Sequence, residues 1–334
     1  MRSFVGGVGA VALVLVGAVP VAAAEGGNDG FTIRDPRITE SSGLAASRAH
    51  PGIYWTHNDS DDGAHLYAVD SGTGKTVATL TLSGVGAPRD VEGVSIGPDG
   101  DLYVGDIGDN LGGTWDHVWI YRLPEPKQLR DRTVKATQYV VKYADGARDA
   151  EALMVHPKTG RVYIADKQRD GGGGLYEGPA ELSASGTNTF RRVADVDLWT
   201  TDGAFSPDGR QLLLRGYFAA TAYTWKGGRP VDPERADVPF QRQGESVTYS
   251  PDGTTLMYGS EGRGSEVEPI EAPGAEVGST PSKSPSKQGS SEEEGSDAAA
   301  GDGGGGDGGL TRSAVVIALI VAAALGLKRL FRKG

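Results

Sequence analysis

The chain has 334 residues, 52 of them glycine, with no cysteine and a net charge of −11. The missing cysteines exclude thiol catalysis, Cys-ligated zinc, iron–sulfur clusters and a lipidated anchor. Residues 265–309 alone hold ten acids and two lysines, which is −8 of the total, and no basic run interleaved with aromatics occurs before the C-terminal tail, so nucleic acid is excluded as the expected partner.

Residues 1–24 carry Arg2, an apolar run over 8–19 and Ala22-Ala23-Ala24 before Glu25. That run is too short to span a bilayer and matches a cleavable secretory signal, so the protein is expected to be exported. Residues 31–38 then read as a single strand ahead of everything that repeats.

The repeat is clearest over residues 90–110, where two alternating runs flank Pro98-Asp99-Gly100. The proline presets a turn and the glycine accepts positive φ, which makes the stretch an antiparallel hairpin with acids at both ends. Comparable pairs recur around Pro51-Gly52, Pro157-Lys158-Thr159-Gly160, Pro207-Asp208-Gly209 and Pro251-Asp252-Gly253. Each is preceded by a small residue at an equivalent place: Gly43, Gly93, Ala152, Gly203 and Ser246. The spacing leaves room for about four short strands per unit, as in the blades of a propeller. The expected fold is therefore all-β, a propeller over residues 31–270 with five blades rather than six. The strand at 31–38 would complete the last blade and remove its open edge.

Residues 271–309 are rich in Ser, Pro, Gly and Glu and lack the apolar surface needed to offset chain entropy, so they read as a solvated stalk. Residues 310–334 combine an apolar core with Lys328, Arg329, Arg332 and Lys333. This is a single transmembrane helix with a basic tail, placing the C-terminus in the cytoplasm and the propeller outside the cell.

The elements Ser41-Ser42-Gly43-Leu44-Ala45, His57-Asn58-Asp59-Ser60, Asp90-Val91-Glu92-Gly93 and Gly105-Asp106-Ile107-Gly108-Asp109-Asn110 resemble secreted bacterial β-propellers of the WD-repeat-like superfamily. The nearest groups are the SdiA-regulated and esterase-like phytase proteins, and the likeness runs over residues 39–261. The resemblance implies an exported propeller whose ligands meet one face near the central axis.

In each innermost strand the residues one and three before the aligned small residue share a face, which directs Asp90, Glu92, Asp149, Glu151, Asp202 and Glu245 toward the axis. Converging carboxylates must raise their pKa values or recruit cations, and hard oxygen donors suit Ca²⁺ or Mg²⁺. The competing reading makes each acid a structural acceptor for backbone amides of its own unit. No organic cofactor is expected.

The ends of the second strands should face the same rim, where Asp106, Asp109, Asp166, Lys167, Arg215, Glu261 and Arg263 form a mixed-charge set for a polar or phosphorylated ligand, or a solvated ion-pair network. Asn58, Ser60 and Asp62 resemble the front of a calcium loop, but Val69 stands at the twelfth position, which excludes a full EF-hand and leaves a weaker loop site. Gly93-Val94-Ser95-Ile96-Gly97 matches a nucleophile elbow in letters only, because a turn into a second strand follows it where a helix is required.

With no nucleophile and base evidently partnered, the sequence favours a binding or interaction module at the cell surface over an enzyme. Its partners would be the membrane, through the C-terminal helix, and an extracellular protein, glycan or phosphorylated ligand. The alternative is a metal-assisted esterase or phosphoesterase working from the same face.

Overall fold

In the computed structural model, residues 29–169 and 172–274 are described, and they contain 21 strands and no helix. The expected secretory signal, the stalk beyond Gly274 and the transmembrane helix lie outside the described residues.

After the short β1 (Phe31–Thr32), the chain builds one antiparallel meander after another. The first is β2 (Ser41–Ala46), β3 (Ile53–Asn58), β4 (His65–Asp70) and β5 (Lys75–Ser83). The second starts with β6 (Val91–Ile96), β7 (Asp101–Asp106) and β8 (Val118–Pro124). Its last segment divides: β9 (Arg132–Lys135) pairs parallel with β5 of the first meander, and β10 (Thr137–Tyr143) returns to β8. Ala136, buried at the crossing, marks where the segment changes sheets.

The third meander is β11 (Ala150–Val155), β12 (Val162–Asp166), β13 (Gly173–Glu177) and β14 (Thr187–Val196), and parallel pairing of β10 with β14 joins it to the second in one eight-stranded sheet. The fourth is β15 (Thr200–Phe205), β16 (Gln211–Gly216), β17 (Ala220–Lys226) and β18 (Arg229–Ala236). Gly227 and Gly228 both take positive φ, at 60° and 78°, and their two-residue turn brings β18 back directly. The fifth is β19 (Gly244–Tyr249), β20 (Thr255–Ser260) and β21 (Glu266–Glu271), and β1 adds antiparallel to β21 with Phe31 opposite Val267. The N-terminal strand thus completes the last sheet as expected, although it is shorter because Pro36 and the Asp35–Arg37 pair turn the chain away.

The innermost strands β2, β6, β11, β15 and β19 pack in that order, and β19 packs on β2. Five buried apolar clusters fill the wedges between successive meanders, including one in which Phe31, Met257 and Val267 meet Leu44, Tyr54 and Tyr67. The result is a curled, propeller-like all-β fold. Side chains stitch neighbouring inner strands together. Asp202 Oδ2 accepts the Val247 amide at 2.8 Å, Ser95 Oγ accepts the Val155 amide at 3.0 Å, and Thr201 Oγ1 donates to the Gly244 carbonyl at 3.1 Å.

The aligned small residues owe their size to this packing. A Cβ on Gly93 would lie 2.8 Å from Leu153, and one on Gly203 would lie 2.7 Å from Met154 Sδ. A register shift falls at or just before this place in every innermost strand.

Candidate functional site

Those register shifts are bulges, and a bulge leaves one residue unpaired and re-aims its side chain. In β6, β11 and β19 the skipped residue is a glutamate, namely Glu92, Glu151 and Glu245. In β15 it is Thr201, and in β2 the skipped pair is Ser42-Gly43. All three glutamates are buried, and between them stands Lys167, the first residue after β12. Its ammonium is paired with Glu151 and is further held by Glu245 and Glu92, with Nζ 5.3 Å above the Tyr217 ring. Gln243 Nε2 donates to Glu245 at 3.0 Å, and Ser42 Oγ donates to Glu92 at 3.0 Å.

One ammonium cannot neutralise three carboxylates. Burial, reinforced by Glu151, holds Glu92 well above the usual carboxylate range, and burial with Glu151 does the same to Glu245. Burial pushes Glu151 itself up to about 7 against the pull of Lys167. Burial opposes the charge on Lys167 too, but Glu151, Tyr217, Glu245 and Glu92 outweigh it and keep the ammonium protonated. The cluster therefore stores protons between the glutamates and a permanent positive charge at Lys167.

The other three acids predicted to join the ring have different duties. Asp202 is spent on the Val247 and Gly203 amides. Asp149 accepts the Asp109 amide at 2.8 Å, and Asp90 accepts the Asn110 side chain at 2.8 Å. Asp90 still lies close to Glu92: a Cβ on Gly108 would sit 2.7 Å from the Asp90 carboxyl and 2.8 Å from Glu92 Oε1. Among the described residues no group of three or more His, Asp or Glu side chains is placed to hold a metal ion. The positive charge among the glutamates is supplied by the chain, so a Ca²⁺ or Mg²⁺ ion would compete with Lys167 for these donors.

Of the seven predicted rim residues, Lys167 stands inside the cluster, and Glu261 is near enough to add to the rise of Glu245. Asp106 is buried and accepts the Arg89 and Asp90 amides and the Tyr121 hydroxyl. Asp109 organises its own loop through the Thr114 and Trp115 amides, and Asp166 takes the Gly174 amide at 2.6 Å. Arg215 is wholly buried, donating to the Ser246 and Gly259 carbonyls and to Gln241, and burial lowers its pKa to about 10. Glu261 is half-buried and Arg263 exposed. In the loop after β3, Asn58 is turned to the Thr39 and Glu40 amides and to Asp62, so its oxygen is engaged in fixing the chain entry. Ser95 sits in a hairpin between β6 and β7 and no helix follows it.

Sequence reasoning missed the aromatic wall beside Lys167. Trp199 and Tyr217 meet edge to face at 4.7 Å, the Arg169 guanidinium lies 4.7 Å over Trp199, and Phe218 next to them is 44% exposed. These residues come from the turns after β12, before β15 and after β16, and are joined through an isolated bridge between Lys167 and Trp199. Aromatics standing singly in turns carry no periodic signal.

No family model matches the chain, and no curated protein does. Among solved structures it is similar to the PQQ-bound form of aldose sugar dehydrogenase from Streptomyces coelicolor, at 14% identity and a TM-score of 0.43, over 73% of this chain and 99% of that one. It is also similar to a gluconolactonase from Xanthomonas campestris, at 19% identity and a TM-score of 0.45, over 73% and 80% of the two chains. A glucose dehydrogenase gives 12% identity and a TM-score of 0.46 over 73% and 99%. The propeller-like part of the sequence resemblance agrees with the strands described above, and the WD-repeat and phytase affiliations find no support among these matches.

Proposed function

We propose that the protein is a five-bladed propeller displayed on the cell surface, where it binds a polyhydroxylated ligand such as a glycan at the end of the axis closed by Lys167. In this reading residues 1–24 direct export, 271–309 are the stalk, and 310–334 anchor the chain with its C-terminus in the cytoplasm. The observation that carries the binding reading is the meeting of Glu92, Glu151 and Glu245 around Lys167 beside Trp199 and Tyr217. Glutamates that share protons both donate and accept hydrogen bonds, and aromatic faces stack on the apolar faces of sugar rings. The excess of carboxylate disfavours a phosphorylated ligand. Ca²⁺ or Mg²⁺ would have to displace the Lys167 ammonium to enter.

The test is calorimetric titration of the full chain with a panel of neutral oligosaccharides. Saturable binding that weakens roughly tenfold or more in Trp199→Ala and Glu245→Gln supports the reading, and no saturable binding to any member sinks it. A second reading, hydrolysis, is favoured by one observation: Glu151, pushed up to about 7 and paired with Lys167, lies in the range of a general acid or base. Release of product from an ester or glycoside panel, lost in Glu151→Gln, would select it.

A further inference from the structure

At the opposite end of the same axis lies a cavity of about 310 Å³, walled by the last residues of all five innermost strands and by Pro157, Pro207 and Pro251 of the turns that follow three of them. Ala46, Ser95, Ala204 and Thr248 are only half-buried although they sit on innermost strands, and all four line this cavity. Its size falls at the lower end of small-molecule sites, which start at about 300 Å³.

The wall is mixed: apolar side chains such as Leu44, Val94, Ile96 and Phe205 stand behind it, polar groups make up more than half of its exposed surface, and Arg48 is the one charged side chain among the described residues that line it. The nearest acids have their own donors. Glu125 accepts the Ser47 hydroxyl and the Trp55 indole at 2.7 Å, and Asp99 pairs with Arg122. Arg48 enters no ion pair among the described residues, and it spends one guanidinium nitrogen, Nη1, on the Gly97 carbonyl at 3.1 Å. Burial lowers its pKa, although a nearby guanidinium stays charged at any physiological pH. Deeper in, Ser95 Oγ accepts the Val155 amide, which leaves its own proton to donate. A forked cation at the mouth of a chamber with no other charged side chain matches the planar, bidentate geometry of a carboxylate.

We infer that this cavity is a second binding site, for a small monocarboxylate whose short tail enters the chamber while its carboxylate meets Arg48 at the mouth. This goes beyond the glycan reading, because it uses other residues and the other end of the axis.

The full chain is titrated with hexanoate, hexanol and hexylamine by calorimetry and by thermal shift. Hexanoate is expected to bind saturably and to raise the melting temperature, with hexanol and hexylamine at least tenfold weaker. Arg48→Met should weaken hexanoate tenfold or more, Arg48→Lys less, and Ala204→Leu, which occupies the chamber, should weaken hexanoate while leaving Arg48 in place. The preference for hexanoate over hexanol is read on the unmodified protein and does not depend on any variant folding. Absence of saturable hexanoate binding, equal binding of hexanol, or hexanoate affinity unaltered by Arg48→Met would each overturn the inference.

Discussion

Lys167 follows β12 and its ammonium is paired with Glu151, the residue that the bulge in β11 leaves without a partner across the sheet. The pair sits at the meeting point of three inner strands, with Glu92 and Glu245 sharing the same positive charge. An ammonium fixed by the chain here has a consequence for cations from outside.

Lys167→Met should leave three buried carboxylates facing one another. Removing one partner of a buried ion pair costs about 3–5 kcal/mol, so the variant should melt well below the parent at neutral pH. Acid, which protonates the glutamates, should restore much of the loss. Calcium should raise the melting temperature of the variant and leave that of the parent unchanged. Scanning calorimetry of both proteins in calcium and in chelator decides this, and a parent that gains stability from calcium would contradict the assignment of Lys167 as the axial cation.

The glutamates also set a pH dependence. Burial raises the folded pKa of Glu92, Glu245 and Glu151 above their ordinary value of 4.5, in the last case to about 7. Groups raised in this way favour the folded state while protonated, so their contribution is complete below about 4.5 and is lost as the pH rises through their folded values. Asp35, lowered to about 2 by Arg37, acts only below this window. Glu92→Gln fixes the neutral form and can still accept from Ser42. It should stabilise the protein by on the order of 1 kcal/mol at about pH 8 and make no difference near pH 4. Destabilisation of equal size at both pH values would show that Glu92 acts as a charged structural group.

Much of the ring was legible because its physics is local. The turn glycines Gly52, Gly100, Gly160, Gly209 and Gly253 all take positive φ, between 69° and 80°, as the Pro-Gly pattern requires. Gly43, Gly93 and Gly203 mark where one inner strand presses on the next. The candidate site was only half legible. Strand alternation put Asp90, Asp149 and Asp202 on the axial face with the glutamates, but the bulge breaks that alternation and gives the axis to the longer side chain. Asp202 shows the offset, since in β15 the skipped residue is Thr201 and Asp202 is left to bridge strands. Lys167 was placed near the rim because it follows the end of a second strand, whereas its pairing with Glu151 and its contact with Tyr217 join residues far apart in sequence, which no local pattern encodes.

Arg215 was read as a rim cation and is instead a buried strut between the fourth and fifth meanders. Its guanidinium reaches the Ser246 carbonyl at 2.5 Å, the Gly259 carbonyl at 2.8 Å and Gln241 at 2.6 Å, and lies 4.9 Å over the Tyr258 ring. Lysine keeps the charge but has no planar fork, so Arg215→Lys should cost more than about 2 kcal/mol in urea unfolding and leave oligosaccharide and hexanoate affinities unchanged in the folded fraction. A neutral effect on stability would contradict the strut.

The seam between chain start and chain end offers the last test. β1 supplies only two residues to the sheet, yet the Ile33 amide continues the ladder to the Ser265 carbonyl at 2.9 Å, and the Arg34 amide crosses to Gly74 in the first meander. Phe31 stacks on Tyr54 at 5.1 Å, and Phe31, Ile33 and Ile38 are buried in the cluster that joins the first and last meanders. The segment acts by filling this wedge as much as by hydrogen bonding. Ile33→Ala should therefore cost about 2–4 kcal/mol, the range for truncating a buried isoleucine. Ile33→Pro should cost at least as much, because it removes the amide that reaches Ser265 while keeping an apolar ring in place. Val77→Ala, at a position 41% exposed, should cost little. Deleting residues 31–38 uncovers the edge of β21, and that variant should associate through the exposed strand as well as melt earlier, which sedimentation and calorimetry read separately. A deletion variant that stays monomeric with an unchanged melting temperature would show that the ring is held shut without its N-terminal strand.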